Sequence, residues 1–208
     1  MNARHARRYS AAAVPLLLLG SLFAVSGCAL LGKSDALSPR YFSPDSSPPS
    51  ATTASPPAGA NPIELALGRI SAASYLSERI VYRDSSHELS FYDERRWSEK
   101  PEAYLRRALA RALFEQRGLR RLVSGVGPTL EVELTELSEV RGPSPVARVS
   151  ATLLLYDQRQ VRRQTTVYVE LPLAPKAPPE VIARSLTDAL NRAVELVADQ
   201  VVTELRAP

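Results

Sequence analysis

The chain is poor in the side chains that most often carry chemistry. Its 208 residues include 1 cysteine, 2 histidines, 1 methionine and 1 tryptophan. A single thiol cannot close an intramolecular disulfide, and no His/Cys cluster with metal-ligand spacing can be drawn. There is no Gly-x-Ser-x-Gly and no Gly-x-x-x-x-Gly-Lys; Gly125-Val126-Gly127 lacks both a following helix and a lysine. His5 lies at the extreme N-terminus, which leaves His87 for the rest of the chain. Its neighbours Ser85 and Ser86 share a predicted tight turn with it, where adjacent residues rarely reach each other as nucleophile and base. Glu131 and Glu133 share one face of a predicted strand, but alternating glutamates on an exposed strand usually serve solubility. The chain therefore reads as non-enzymatic, with no catalytic residue, metal or cofactor expected. Binding is what remains.

What is present begins at the front. Arg4, Arg7 and Arg8 precede Ala11 to Val25, 15 residues without a charge that include Leu16-Leu17-Leu18-Leu19. A comfortable spanning helix needs about 20 residues. A basic start, a short apolar middle and a small-residue exit define a signal peptide. The exit is Val25-Ser26-Gly27-Cys28, which resembles the lipobox of bacterial lipoproteins in all four positions. Cleavage between Gly27 and Cys28, with lipidation of Cys28, follows from the resemblance; an ordinary secretory signal with a chance cysteine is the alternative. One acyl chain gives only marginal membrane binding, and each buried methylene adds about 0.8 kcal/mol, so two or more chains hold firmly. Residue 29 is alanine. Aspartate there resembles the inner-membrane retention signal of Gram-negative lipoproteins, so its absence points to the outer membrane, facing the periplasm.

Charge gives little further direction. Three of the 26 basic residues leave with the signal, so 23 basic face 22 acidic ones in the remainder. The pI of 9.4 is thus weak grounds for nucleic acid, and periplasmic placement argues against it. Three parts are expected: the signal at residues 1–27, the lipidated cysteine and a Pro/Ser/Ala-rich tether at 28–61, and a folded domain at 62–208. The tether composition cannot bury enough apolar surface to fold, and its prolines favour extended geometry that stands the domain off from the bilayer. Tyr41-Phe42 interrupts it as a candidate edge strand.

Within the domain, Ile63, Leu65 and Leu67 alternate with polar or small residues, the period of a half-buried strand. Residues 79–92 read as a hairpin turning at Asp84-Ser85-Ser86-His87. Ser98 is the predicted cap of a helix from about Glu102 to Arg117, ended by Gly118. Leu105, Ala108, Leu109, Ala112 and Leu113 share one helix face; Arg106, Arg107 and Arg111 share the other. Further strands are predicted at Leu119–Val123, around Leu130–Leu134, at Val146–Tyr156 and at Val161–Leu171. Leu153-Leu154-Leu155 suggests burial on both faces. A long amphipathic helix closes the chain from about Glu180 to Leu205. The expected fold is α+β, a mainly antiparallel sheet with two amphipathic helices packed on one face.

The candidate partner-binding residues are Arg96, Trp97, Arg106, Arg107 and Arg111. Trp97 has two readings: a core anchor between hairpin and helix, or a partner hot spot, since Trp and Arg are enriched there. The helix arginines are either a solvated face or a basic surface for an acidic partner or lipid head groups.

From Tyr75 to Leu113 the chain resembles the ABC-type transport auxiliary lipoproteins. The resemblance is carried by Tyr41-Phe42, Tyr75-Leu76, Ile80-Val81 with Arg83, the strand Leu89 to Tyr92, and Arg96-Trp97-Ser98-Glu99 before the helix. The loop pattern departs at Ala72-Ala73 and Glu78-Arg79. The resemblance implies a non-catalytic accessory of a lipid or hydrophobic-compound transport system. It implies a mammalian-cell-entry-type protein or other ABC transport components as partners, and it allows a homo-oligomer. An assembly lipoprotein of the envelope or of a secretion apparatus is the competing reading.

Overall fold

The structure, a computed structural model, describes residues 38–44 and 63–207. Gly27, Cys28 and most of the expected tether lie outside them. The described chain is built around one long strand, β6, numbered here in chain order: β1 Arg40–Phe42, β2 Glu64–Ala72, β3 Arg79–Arg83, β4 Leu89–Trp97, β5 Arg120–Arg121, β6 Thr129–Val140, β7 Val146–Asp157 and β8 Gln160–Pro172. Helix α1 is Pro101–Ala110 and α2 is Pro179–Arg206.

Along one edge β6 pairs antiparallel with β7 over its whole length, from Thr129↔Tyr156 to Val140↔Val146. β7 returns as β8 through Gln158 and Arg159, both at positive φ (44° and 72°), the sense of twist a two-residue hairpin demands. The other edge of β6 is shared. β2 runs parallel to its first half, Ala66↔Thr129 to Ala72↔Leu134, and β3 runs parallel to its end, Val81↔Ser138 to Arg83↔Val140. β4 adds to β3 antiparallel, β1 adds to β4 parallel, and β5 adds to β2 parallel.

The sheet is therefore mixed, with four parallel and three antiparallel pairings. This corrects the expectation of a mainly antiparallel sheet. The antiparallel pairs include the two hairpins visible in the sequence. The parallel pairing of β2 with β6 spans a long crossover holding β3, β4 and α1, the kind of connection a parallel pair requires. Alternation of apolar residues reports which face is buried, not which way a neighbour runs.

The switch from β2 to β3 needs a local solution. β6 bulges between Leu134 and Glu136. Ala73 N–H donates to the Leu134 carbonyl at 2.8 Å. The chain then bulges outward, and the Tyr75 hydroxyl donates to the Thr135 carbonyl at 2.6 Å. Leu76, next in sequence, is buried. The Tyr-Leu pair thus fills the gap in the edge with a hydroxyl and a core side chain. Burial raises the Tyr75 pKa above its ordinary value, against the lowering influence of Arg83.

Both helices pack on one face. Ala147, Val149, Ala151, Leu153 and Leu155 of β7 are buried beneath them, while Leu154 is only half-buried on the opposite, open face. The stripe of α2, Ile182, Leu186, Leu190, Ala193, Val197 and Val201, is buried throughout. Each fully buried side chain of this size contributes about 1.5–3 kcal/mol of transfer free energy. Helix α1 starts at Pro101, not near Ser98: the residue before it is Lys100 and no side chain caps it. Proline suits the first turn because its missing N–H needs no partner there. Ser98, just past β4, is tied to β1 by its N–H, which donates to the Phe42 carbonyl at 2.9 Å. Past Ala110 the helix widens into a π-helical turn, Arg111–Gln116, and Gly118 at φ 67° ends it.

Tyr75→Phe removes the donor to Thr135 and leaves a partly buried carbonyl unpaired. The expected cost is about 1–3 kcal/mol in chemical denaturation; a change below experimental error would show that another donor takes its place.

Candidate docking surfaces

Trp97 ends β4 and is 2% exposed. Its N–H donates to the Glu78 carbonyl at 2.5 Å, and its register partner on β1 is Phe42. Successive strand residues point to opposite faces, so Arg96 lies on the open face, opposite Tyr41 and Arg79. Its Nε is buried without a hydrogen bond. The Arg79 guanidinium sits 4.8 Å above the Phe91 ring and 3.8 Å from Asp93.

The three helix arginines are elsewhere, on the opposite side of the sheet. Arg106 donates to the Gly68 carbonyl at 3.0 Å. Gly68 lies at the irregularity of β2, where an added Cβ would meet Thr129 Cγ2 at 2.9 Å. Arg107 grips Glu99 with two hydrogen bonds of 2.7 and 3.2 Å and lies 4.9 Å over Tyr104. Arg107 and Arg111 line a cleft of about 20 Å³ with Pro44, Ala108 and Leu190. The five residues singled out in the sequence therefore divide three ways: Trp97 in the core, Arg96 on the open face, and the three arginines on the helix layer.

Sequence reading missed two features. The first is Arg117, whose side chain is only 15% exposed. It donates to Glu195 at 2.8 Å, to Asp199 at 2.6 Å and to the Ala112 carbonyl at 3.1 Å. Burial opposes its charge, but Asp199 and Glu195 outweigh that and raise its pKa. It clamps the π-helical turn to α2. No local signal announces this, because its acidic partners lie 78 and 82 residues away.

The second is a chain of polar contacts crossing the open face. Arg83 donates to Glu136 at 3.0 Å, Arg148 lies 3.9 Å from Glu136 and donates to Glu170 at 2.7 Å, and the Tyr168 hydroxyl donates to Glu170 at 2.5 Å. Burial and this hydrogen bond push the Tyr168 pKa from 10.0 to about 12. Tyr168 and Arg148 hold Glu170 below the usual carboxylate range. Beside this chain lies a groove of about 390 Å³ lined by Arg69, Ser71, Glu131, Glu133, Thr152 and Gln164. Ser86 Oγ and His87 Nδ1 do lie 2.8 Å apart at the exposed β3–β4 turn, where the His87 N–H also donates to Ser85 Oγ at 3.3 Å. Among the described residues no group of three or more His, Cys, Asp or Glu could hold a metal ion.

The family model for the ABC-type transport auxiliary lipoprotein component matches residues 46–202. The chain belongs to this family. ABC-type transport auxiliary lipoproteins are accessory components of transport systems, associated with the cell envelope through a lipid. A crystal structure of a Xanthomonas campestris protein shares the fold: 18% identity, 79% of this chain and 96% of that one covered, TM-score 0.65. A hypothetical protein of Chlamydia trachomatis is similar over 71% of this chain and 100% of its own, at 10% identity and TM-score 0.51. No curated protein matches the chain.

Two outcomes follow for this auxiliary lipoprotein. Trp97→Ala empties a buried site and should cost about 3–5 kcal/mol, lowering the thermal midpoint by several degrees; an unchanged midpoint would overturn the core placement. For Tyr168 the neutral phenol is favoured in the folded state. Its contribution to stability is thus fully present below the ordinary 10.0 and is lost as pH rises toward about 12. Ultraviolet titration of the phenolates, differenced against Tyr168→Phe, should show that late midpoint. Glu170→Gln should bring it down.

Proposed function

We propose that this chain is an outer-membrane lipoprotein, facing the periplasm and anchored through Cys28. It serves as a non-catalytic auxiliary of an ABC-type, mammalian-cell-entry-linked system that moves lipids or hydrophobic compounds across the periplasm. The observation that carries the reading is the family match over residues 46–202, joined to a lipobox ending at Cys28 and to alanine at position 29. The folded domain suits a docking role: many of its charged groups are taken up in ion pairs and ring contacts with one another.

The position of β1 bears on the proposed tether. β1 begins at Arg40, twelve residues after Cys28. The chain from the lipid to the first paired residue therefore spans at most about 40 Å fully extended. A free tether running to residue 61 would reach far further. β1 is held by three register pairs with Arg95, Arg96 and Trp97, and by an ion pair from Arg40 to Glu180. With Cys28 lipidated, pairing of β1 with β4 would limit the free tether to the residues before Arg40.

Cys28→Ser should leave the fold unchanged and move the protein from the membrane to the soluble periplasmic fraction. Affinity recovery of the lipidated chain from detergent-solubilised envelopes, with the permease, ATPase and mammalian-cell-entry-type protein of its own system co-expressed, should bring down those components. Repeated recovery of none of them would sink the transport reading.

A further inference from the structure

The end of the sheet where β6 begins gathers apolar side chains that the fold does not use. Val123 is 88% exposed and Val126 77%, both in the loop between β5 and β6. They are the two most exposed large hydrophobic residues described. Gly125 at φ 109° turns this loop, and Gly127 lets Leu122 close beneath it, since a Cβ there would meet Leu122 Cδ2 at 2.9 Å. The loop thus rests on its own leucine with its valines outward.

Strand register brings more to the same end. Thr129 pairs with Tyr156, and Tyr156 pairs with Val161, which is 60% exposed. Two strand spacings, about 10 Å, separate Thr129 from Val161. Charges surround these valines in both signs. Arg120 pairs with Glu64 at 2.5 Å, Arg121 lies 4.7 Å over Phe114, and Arg162 donates to the Glu204 carbonyl at 3.0 Å. The cations outnumber the acids, but acids interleave them.

We infer that this end is a docking surface for a protein partner whose contact face has an apolar pocket rimmed by charged groups of both signs. The inference rests on the transport reading above and names a surface distinct from Arg96, Trp97 and the α1 arginines. Two observations favour a protein over a bilayer. An anionic membrane offers one sign of charge, while this end presents arginines already partnered by Glu64 and Glu204, a pattern that a protein surface of matched charges can meet. The direction of the chain is the second. β1 runs opposite to β6, so Ser38 and Pro39 enter it from the end where β6 finishes. Arg40 meets Glu180 near the start of α2, whereas Arg162 meets Glu204 near its finish, about 36 Å along the helix. The valines therefore lie at the end of the sheet away from Ser38 and Pro39, where the described chain enters β1.

The test uses the lipidated full chain, co-expressed with the mammalian-cell-entry-type protein, permease and ATPase of its own system. Val123→Asp with Val126→Asp should cut recovery of those components at least tenfold, with no change in the thermal midpoint. Val123→Ser with Val126→Ser should weaken it in the same direction, and carries the test if the aspartates lower the midpoint. Recovery equal to wild type in both double variants overturns this surface and leaves the transport reading standing. Failure of the wild-type chain to recover any component removes the transport reading and this surface with it. Vesicle flotation of the Cys28→Ser chain separates the bilayer. Binding to phosphatidylglycerol vesicles that the Val123/Val126 variants abolish would overturn the protein partner in favour of lipid; no binding supports it.

Discussion

Every backbone carbonyl along β6 needs a donor, and at Thr135 that donor is a side chain. β6 is too long for β2 alone to cover and must hand its outer edge to β3 partway along. A parallel neighbour cannot change strands without leaving some backbone groups unpaired, and a buried unpaired carbonyl costs about 1–3 kcal/mol. The bulge at Thr135 concentrates the fault in one place, and the Tyr75 hydroxyl closes it. A parallel case occurs on β2, where the register slips beside Gly68 and Arg106 reaches from α1 to its carbonyl. Two side chains thus knit two irregularities, and the helix is tied to the sheet by one of them. Moving Tyr75 or Arg106 would disturb strand order as well as a local contact.

The legible parts of the fold were those written in local periodicity. Arg79–Arg83 is a strand in sequence and in structure. The α2 stripe from Ile182 to Val201 is buried as its spacing demands. Tyr41-Phe42, two aromatics in a polar stretch, does join the sheet. Illegible parts were those decided by distant neighbours. β4 continues through Asp93-Glu94-Arg95-Arg96 to Trp97 because β3 and β1 flank it and rings receive its cations, with Arg95 lying 3.7 Å over Tyr92. On sequence alone such a charged run reads as loop. Ser98 looked like a cap, but the helix starts at Pro101 and the Ser98 hydroxyl meets the Tyr104 hydroxyl at 2.6 Å. Arg117 does stand at the end of the helix, and it also clamps that end to an element that follows in the chain.

The candidate surfaces were legible to a different degree. Residue type drew attention to Trp97 and its arginine neighbour, yet types cannot say on which face a residue emerges. That needs a strand continuing to Trp97, and with it alternation separates Arg96 from Trp97 at once. Val123 was passed over because it reads as the end of a strand, and Val126 because Gly125 to Pro128 reads as a turn. The structure gives β5 only two residues, Arg120 and Arg121, and leaves the valines beyond it in a loop.

Arginine is the common thread, and it explains why charge was a poor guide. Lysine occurs only at positions 33, 100 and 176; the other 23 basic residues are arginine. A guanidinium is planar and weakly hydrated, so it stacks on rings and forks onto carboxylates where an ammonium would stay in water. Arg141 lies 3.4 Å over Tyr82, Arg148 joins two glutamates, and Arg117 joins Glu195 and Asp199. Such cations act as mortar between elements, and their charge is largely answered within the chain. A partner drawn by bulk positive charge would find little of it unanswered. Recognition then falls to shape and to exposed apolar atoms, with the residual charges setting orientation. Among the described residues the loop bearing Val123 and Val126 meets that requirement best, because its apolar tips are exposed while the arginines around them are held in fixed positions by Glu64, Phe114 and Glu204.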